Sequence, residues 1–270
     1  MIDAKAMLTA SGHNPNKALG QNFLADASAL EAIVDGACID GKTVLEIGAG
    51  LGTLTAALAE RAERVVAVEI DRSLETVLRG NMARYDNVRL IFADFLKLGT
   101  GELSEALGGG GEVHVAANLP YYITSPVSMK LLRCGLPIES MTLMLQKEAA
   151  MRFFAKPSDK IYGPLTVLSQ AAYDAKKLME LSPESYYPRP TVDSTVIRLE
   201  SRHTVLPRAL DEICSAAFAN RRKTLVNNLA SCREKDKVIG ALDLMGFKHS
   251  VRGEELSAEE FICLAELLGD

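Results

Sequence analysis

The stretch TVLEIGAGLGTLTAALAERAERVVAVEID, residues 43–71, decides the fold. Its first part, 43–50, is a short apolar run ending in glycines, the pattern of a strand buried on both faces. LTAALAERA (54–62) has helical apolar spacing, and VVAVEID (65–71) is a second apolar run. Strand, glycine turn, helix and strand in that order make a βαβ unit with parallel strands. Gly48, Gly50 and Gly52 stand where the first strand gives way to the helix. Glycine there permits a tight turn and a close approach of backbone to a ligand. Glu69 follows Gly48 by 21 residues and ends the second strand, where a carboxylate can accept hydrogen bonds from both hydroxyls of a ribose.

Outward from this unit the alternation continues. A helix is expected over 27–37 and another over 72–85, with strands over 87–94, 113–119 and 141–146 and a helix over 124–135. Two further strands, 177–182 and 194–200, flank the Pro-rich PESYYPRP. This pattern predicts a parallel, doubly wound α/β sheet. Beyond residue 201 no strand-like run appears: 209–230, 235–246 and 257–269 are helical by period. The expected organisation is an arm over 1–25, a catalytic domain over 26–203 and a small helical domain over 204–270.

A second glycine pattern misleads. Gly36 to Thr43 (GACIDGKT) matches the phosphate-binding consensus GxxxxGK[ST]. A working loop of that kind follows a strand and opens a helix, so that backbone N–H groups cradle phosphates. Here the match follows a helix and leads into a strand, so a plain turn is expected.

Composition narrows the function classes. The chain has 270 residues, 48% of them hydrophobic and 24% charged, with a formal net charge of −5. It can bury a core, and it is not a uniformly basic nucleic-acid coat protein. Its charge is uneven: residues 202–237 carry eight Lys/Arg against four Asp/Glu, and residues 238–270 carry two against seven. Five cysteines without a CxxC pair and four histidines without HxxxH spacing predict neither a disulfide framework nor a metal site, and the cysteines read as small buried thiols. No run approaches a membrane span and the N-terminus lacks a leader-like apolar core, so a cytoplasmic protein is expected.

The residues that choose the chemistry are Asn118-Leu119-Pro120-Tyr121, at the end of the fourth strand. Such a strand end lies beside the ligand crevice of an open α/β sheet. An exocyclic amine on adenine is a poor nucleophile because its lone pair is delocalised into the ring. A carboxamide oxygen and a backbone carbonyl can accept from that NH₂ group and stabilise positive charge developing on nitrogen, while an aromatic ring stacks on the base. The glycine spacing is GxGxG; Thr53 stands where the nicotinamide fingerprint needs a third glycine. This spacing favours S-adenosylmethionine over a dehydrogenase cofactor. Asp94, after the third strand, can accept from an adenine amino group or cap a turn.

With these residues in view, the chain resembles the ribosomal RNA adenine dimethyltransferases, closest to the bacterial small-subunit type. The resemblance rests on LGQNFLAD (19–26), VLEIGAGLGTLT (44–55), VVAVEID (65–71), ANLPYYITSPV (117–127), YYPRPTVDSTVIRL (186–199) and FANRRKTLVNNL (218–229). It implies a Rossmann-like S-adenosylmethionine methyltransferase sheet with a small all-helical C-terminal domain. It also implies methyl transfer to N6 of two adjacent adenosines in a 3′-terminal hairpin loop of small-subunit rRNA. It places cofactor contacts on Gln21, Asn22, Leu24, Gly48, Gly50, Glu69, Ile70, Asp94, Phe95 and Asn118. The reacting base falls to Asn118, Leu119, Pro120, Tyr121 and Tyr186. The family has Phe where Tyr186 stands, and Tyr187 competes for that role. Arg221, Arg222 and Lys223 are expected on a helical face that holds RNA phosphates.

The implied partner is the small ribosomal subunit or its precursor, met by a monomer, with no metal and no covalent enzyme intermediate. Two other readings share the motifs: a large-subunit enzyme of the macrolide-resistance type and a non-catalytic ribosome-assembly factor.

Overall fold

The computed structural model of the chain describes Leu8, residues 15–16 and residues 19–269; of Tyr121 it describes the backbone alone. Most of the expected arm therefore lies outside the described residues. Nine strands can be named: β1 (Phe23–Leu24), β2 (Thr43–Ile47), β3 (Arg64–Glu69), β4 (Val88–Phe92), β5 (Val113–Asn118), β6 (Ile138–Gln146), β7 (Tyr173–Leu181), β8 (Tyr186–Tyr187) and β9 (Ser194–Ser201). Seven form one sheet in the order β4-β3-β2-β5-β6-β9-β7. β4 through β6 run parallel and β9 is antiparallel to β6. The apolar runs become β2, β3 and β5 at the centre of the sheet, where Val44, Leu45, Val65, Val66, Val115 and Ala116 are buried. Sequence order reverses between β2 and β5, and the carboxyl ends of those strands open the crevice in which α/β sheets bind ligands.

The expected decoy is a plain turn. Gly36 lies inside helix Ala27–Ala37 and Thr43 begins β2. The end of that helix is closed by buried Arg198, whose guanidinium donates to the carbonyls of Gly36 and Ala37. Orphan carbonyls at a helix C-terminus need such donors.

The described residues form two compact units. The first runs to Ala150 and includes Lys176–Glu200; the second holds Met151–Ala175 and the chain from Ser201 onward. Residues 151–175, which the sequence groups with the sheet, thus pack with the C-terminal helices. There Pro164–Ala172 packs against Leu210–Ala217 and Ala258–Leu268. Buried Tyr162 and Phe261 flank the ring of Phe218, with centroids 6.1 and 5.7 Å away.

Three local expectations need correction. Thr100–Leu107 is a helix that the polar sequence GELSEAL conceals. The helical pattern over 209–230 is broken: helices Leu210–Ala217 and Leu225–Leu229 are joined by a turn. Arg221, Arg222 and Lys223 therefore sit on a turn and not on a helical face. The break has a side-chain cause. Asn220 Oδ1 accepts from the N–H of Arg222 at 3.1 Å, Thr224 caps the next helix, and buried Asn228 donates to the carbonyls of Ala217 and Asn220 at 2.7 and 2.9 Å. Polar side chains of this type compete with the helix ladder for the backbone. Finally, Cys38 and Cys263 are exposed, against the expectation that each cysteine is buried.

Candidate active site

A cavity of about 330 Å³ opens at the carboxyl ends of β2, β3 and β5. The glycine turn forms its floor. Gly48, Gly50 and Gly52 have φ of +82°, +57° and +85°, a region that L side chains rarely adopt. At Gly50 a Cβ would also lie 2.9 Å from the Phe23 ring. Gly50→Ala is therefore expected to destabilise the protein by roughly 1–3 kcal/mol, and to displace Phe23 from the cavity wall. Equilibrium unfolding measures the first effect and methyl-donor titration the second.

Glu69 ends β3 at the cavity with 6% exposure. Its Oε2 accepts from the N–H of Gly50 and its Oε1 from the N–H of Asp71, both at 2.7 Å. Burial pushes its carboxyl above the usual range, and the two backbone donors partly offset this. Ile70, next in the chain, is exposed at the rim with Leu96. Asp94 caps the turn after β4 through the N–H of Leu96 at 3.0 Å and also lines the cavity. Both of its expected uses are thus open to it. Phe95 is buried, with the Lys130 ammonium 4.9 Å from its ring centroid.

The far wall is the end of β5. Asn118 is half-buried, and its Nδ2 donates to the carbonyl of Asn22 at 3.0 Å. Its Oδ1 is left to accept from a ligand. The Leu119 N–H donates to the carbonyl of Met144 at 3.1 Å, and Pro120 accepts from the N–H of Ile123. Tyr121 opens the short helical turn that follows; its side chain lies outside the described residues.

A strap formed by residues 19–24 closes one side of the cavity. Gln21 donates to Asp71 Oδ2 at 2.7 Å, Asn22 Nδ2 donates to the carbonyl of Gly20 at 3.1 Å, and Phe23–Leu24 pairs antiparallel with Tyr186–Tyr187. That pairing separates the two tyrosines. Tyr186 is buried and lines the cavity; Tyr187 is 40% exposed and does not.

Tyr122 and Glu46 are among the cavity residues that the sequence reading did not single out. Tyr122 is 54% exposed, and its ring lies beside Gly20, 3.5 Å from where a Cβ would stand there. Glu46 is wholly buried in β2, between Ala67 and Ala116 of the flanking strands. Neither of its carboxyl oxygens has a hydrogen-bond partner. Burial pushes its pKa up to about 8, aided by the charge of Glu69 and tempered by the nearby Thr55 hydroxyl. An acid inside an otherwise apolar central strand was the available signal.

Residues 12–270 match the family model described as ribosomal RNA adenine dimethylase. The chain belongs to the ribosomal RNA adenine dimethylases. Two similar curated relatives are each named ribosomal RNA small subunit methyltransferase A. The protein of Bacillus licheniformis is 43% identical over 99% of this chain and 96% of its own. That of Streptococcus pneumoniae is 40% identical over 98% and 95%. Among solved structures, the 23S rRNA methyltransferase ErmE aligns with a TM-score of 0.67 and 26% identity, over 91% of this chain and 99% of that one. A dimethyladenosine transferase from Plasmodium falciparum aligns with a TM-score of 0.74 over 90% and 95%; at 24% identity it shows the shared fold. This adenine dimethylase is thus an enzyme with the Rossmann-like methyltransferase sheet that its sequence predicted. Among its described residues no helix is long and apolar enough to cross a membrane.

Proposed function

We propose that this chain transfers methyl groups from S-adenosyl-L-methionine to N6 of two adjacent adenosines in the 3′-terminal hairpin loop of small-subunit rRNA. The observation that carries this reading is Asn118 beside the cavity. Its amide nitrogen is committed to Asn22, so its oxygen is the atom presented to an incoming amine. The names of the relatives, with their near-complete coverage, support the small subunit over the large one.

The residues present suit the donor. Glu69 stands at the strand end suited to a ribose, Ile70 and Leu96 offer exposed apolar surface at the rim, and Asp94 retains accepting capacity. Glu46 supplies a buried carboxyl with no hydrogen-bond partner for a cationic molecule. When bound, the donor supplies an electrophilic methyl group. The chain does the rest. Asn118 Oδ1 and the Leu119 carbonyl accept from the adenine amine, orienting its lone pair and favouring positive charge on nitrogen. Tyr186, and Tyr121 by its place in the motif, hold the base by its faces. The amine becomes acidic once methylated, so no strong base is required.

Glu69→Ala is expected to weaken donor binding about 10- to 100-fold through the loss of charge-assisted hydrogen bonds, as read by calorimetry. Tritiated methyl transfer tests the whole reading. Label should enter small subunits that lack the modification and stay out of large subunits. Label in large subunits alone would move the enzyme to the macrolide-resistance class.

A further inference from the structure

We propose that the RNA-docking face of the second unit has two parts, the loop 155–163 and the turn 220–224, and that Arg221 is the strut joining them. It is not itself a phosphate contact. This rests on the reading of the substrate as RNA given above.

The bonds of Arg221 carry the argument. Its Nε donates to Glu254 Oε2 at 2.6 Å, and its terminal nitrogens donate to three carbonyls of the loop: Lys160 at 2.7 Å, Tyr162 at 3.2 Å and Asp159 at 3.2 Å. A guanidinium has five N–H donors in a fixed fork and no way to lose its charge. Here all three nitrogens are engaged by protein, and the charge is matched by a carboxylate 2.5 Å away. A cation spent in this way has little left for a phosphate.

The loop is built to be held. The carbonyl of Glu254 accepts from the N–H of Ser158 at 2.7 Å, and Ser158 has a φ of +73°. Asp159 Oδ2 accepts from the N–H of Lys156 at 2.8 Å, and Gln170 ties the base of the loop through the carbonyls of Phe153 and Ala155. The buried Tyr162 hydroxyl donates to the carbonyl of Leu256 at 2.8 Å.

The held loop presents Lys156 and Lys160, and the turn presents Arg222 and Lys223. All four are exposed. None of the four makes an ion pair among the described residues, whereas Arg202 and Arg233 of the same unit are paired with Asp174 and Glu212. Pairing with a carboxylate removes a cation from competition for phosphate; these four remain available. With Arg221, they make five cations against the carboxylates of Asp159 and Glu254. A net positive face whose four outer cations are unpaired fits a phosphodiester backbone, which it would position without reading sequence.

The test uses the full-length enzyme and naked small-subunit rRNA across a salt series. Lys156→Glu with Lys160→Glu should weaken binding about 10-fold at low salt and lower the slope of log K against log salt by roughly two. Donor affinity should not change. Arg221→Lys keeps the charge but cannot span four acceptors, so it should weaken RNA as much as Arg221→Gln does. Either change should cost less in the Lys156/Lys160 double variant than in the wild type, the non-additivity expected when one residue acts through others.

Three results would overturn the proposal. One is full affinity in Arg221→Lys, which would make Arg221 a phosphate contact. Another is an unchanged salt slope in the Lys156/Lys160 variant, which rests on exposed residues and does not depend on the strut folding. The third is a loss confined to intact subunits, which would make the face a protein contact. Wild-type methyl transfer to small subunits, measured in parallel, keeps failure of this proposal distinct from failure of the substrate assignment.

Discussion

Asn118→Ala should lower the turnover of methyl transfer by about 10²- to 10³-fold, the range seen when one preorganised group facing developing charge is removed. The amide performs two tasks with two atoms. Its Nδ2 donates to the Asn22 carbonyl of the strap, and in the proposed mechanism its Oδ1 accepts from the substrate amine. Positive charge grows on that nitrogen only as the new bond forms, so the oxygen contributes more in the transition state than in the ground state. Donor affinity should fall only a few-fold, through the loosened strap. Asn118→Asp separates the tasks. It keeps an accepting oxygen but loses the donor to Asn22, so donor affinity should suffer more than with alanine while part of the turnover returns. Single-turnover rates with calorimetric donor affinities read both. Equal losses in rate and donor affinity for the alanine variant would leave Asn118 as a tether of the strap.

How far the sequence alone reached follows the range of the interactions. β2, β3 and β5 were legible because strands covered on both faces must be apolar throughout, which is a local signal. Glu69 and Asn118 were legible because each sits at a fixed offset from such a strand. The pairing of Phe23–Leu24 with Tyr186–Tyr187 joins segments far apart in the chain, and no local pattern encodes it. Yet that pairing turns Tyr186 into the cavity and Tyr187 out of it. The same holds for Arg221. Its sequence neighbours are Arg222 and Lys223, which suggested a shared role, but its partners lie at 159–162 and 254. The break at 218–224 was signalled by Asn220 and Thr224, residues that favour turns and caps; the apolar period on either side masked it. The resemblance carried the site residues further than periodicity could, although it offered nothing on Glu46 or Tyr122.

Glu46→Gln should make the ligand-free protein more stable at pH 8 and remove most of a decline in stability that the wild type shows between pH 5 and 8. The carboxyl lies in the central strand, flanked by two alanines, with neither oxygen hydrogen-bonded. Its pKa is about 8 in the folded protein against an ordinary value of 4.5. Between those values the folded state keeps a proton that the unfolded chain has released. The unfolded state binds fewer protons there, so stability falls as pH rises. The contribution of the protonated acid is complete below pH 4.5 and is lost as pH climbs through 8. A shift of this size corresponds to an upper bound on the order of 5 kcal/mol. Glutamine holds the neutral state at every pH and fills nearly the same space. Its melting temperature should therefore be nearly constant where that of the wild type drops by several degrees. The variant should also lose donor affinity most at high pH, because only the ionisable acid can supply a negative charge to a cationic donor. Thermal melts at pH 5, 6, 7 and 8 with and without S-adenosyl-L-methionine would show this. Parallel wild-type and variant curves in the free protein would mean that Glu46 is already ionised in the folded state, its charge met by a group that the carboxyl oxygens do not contact.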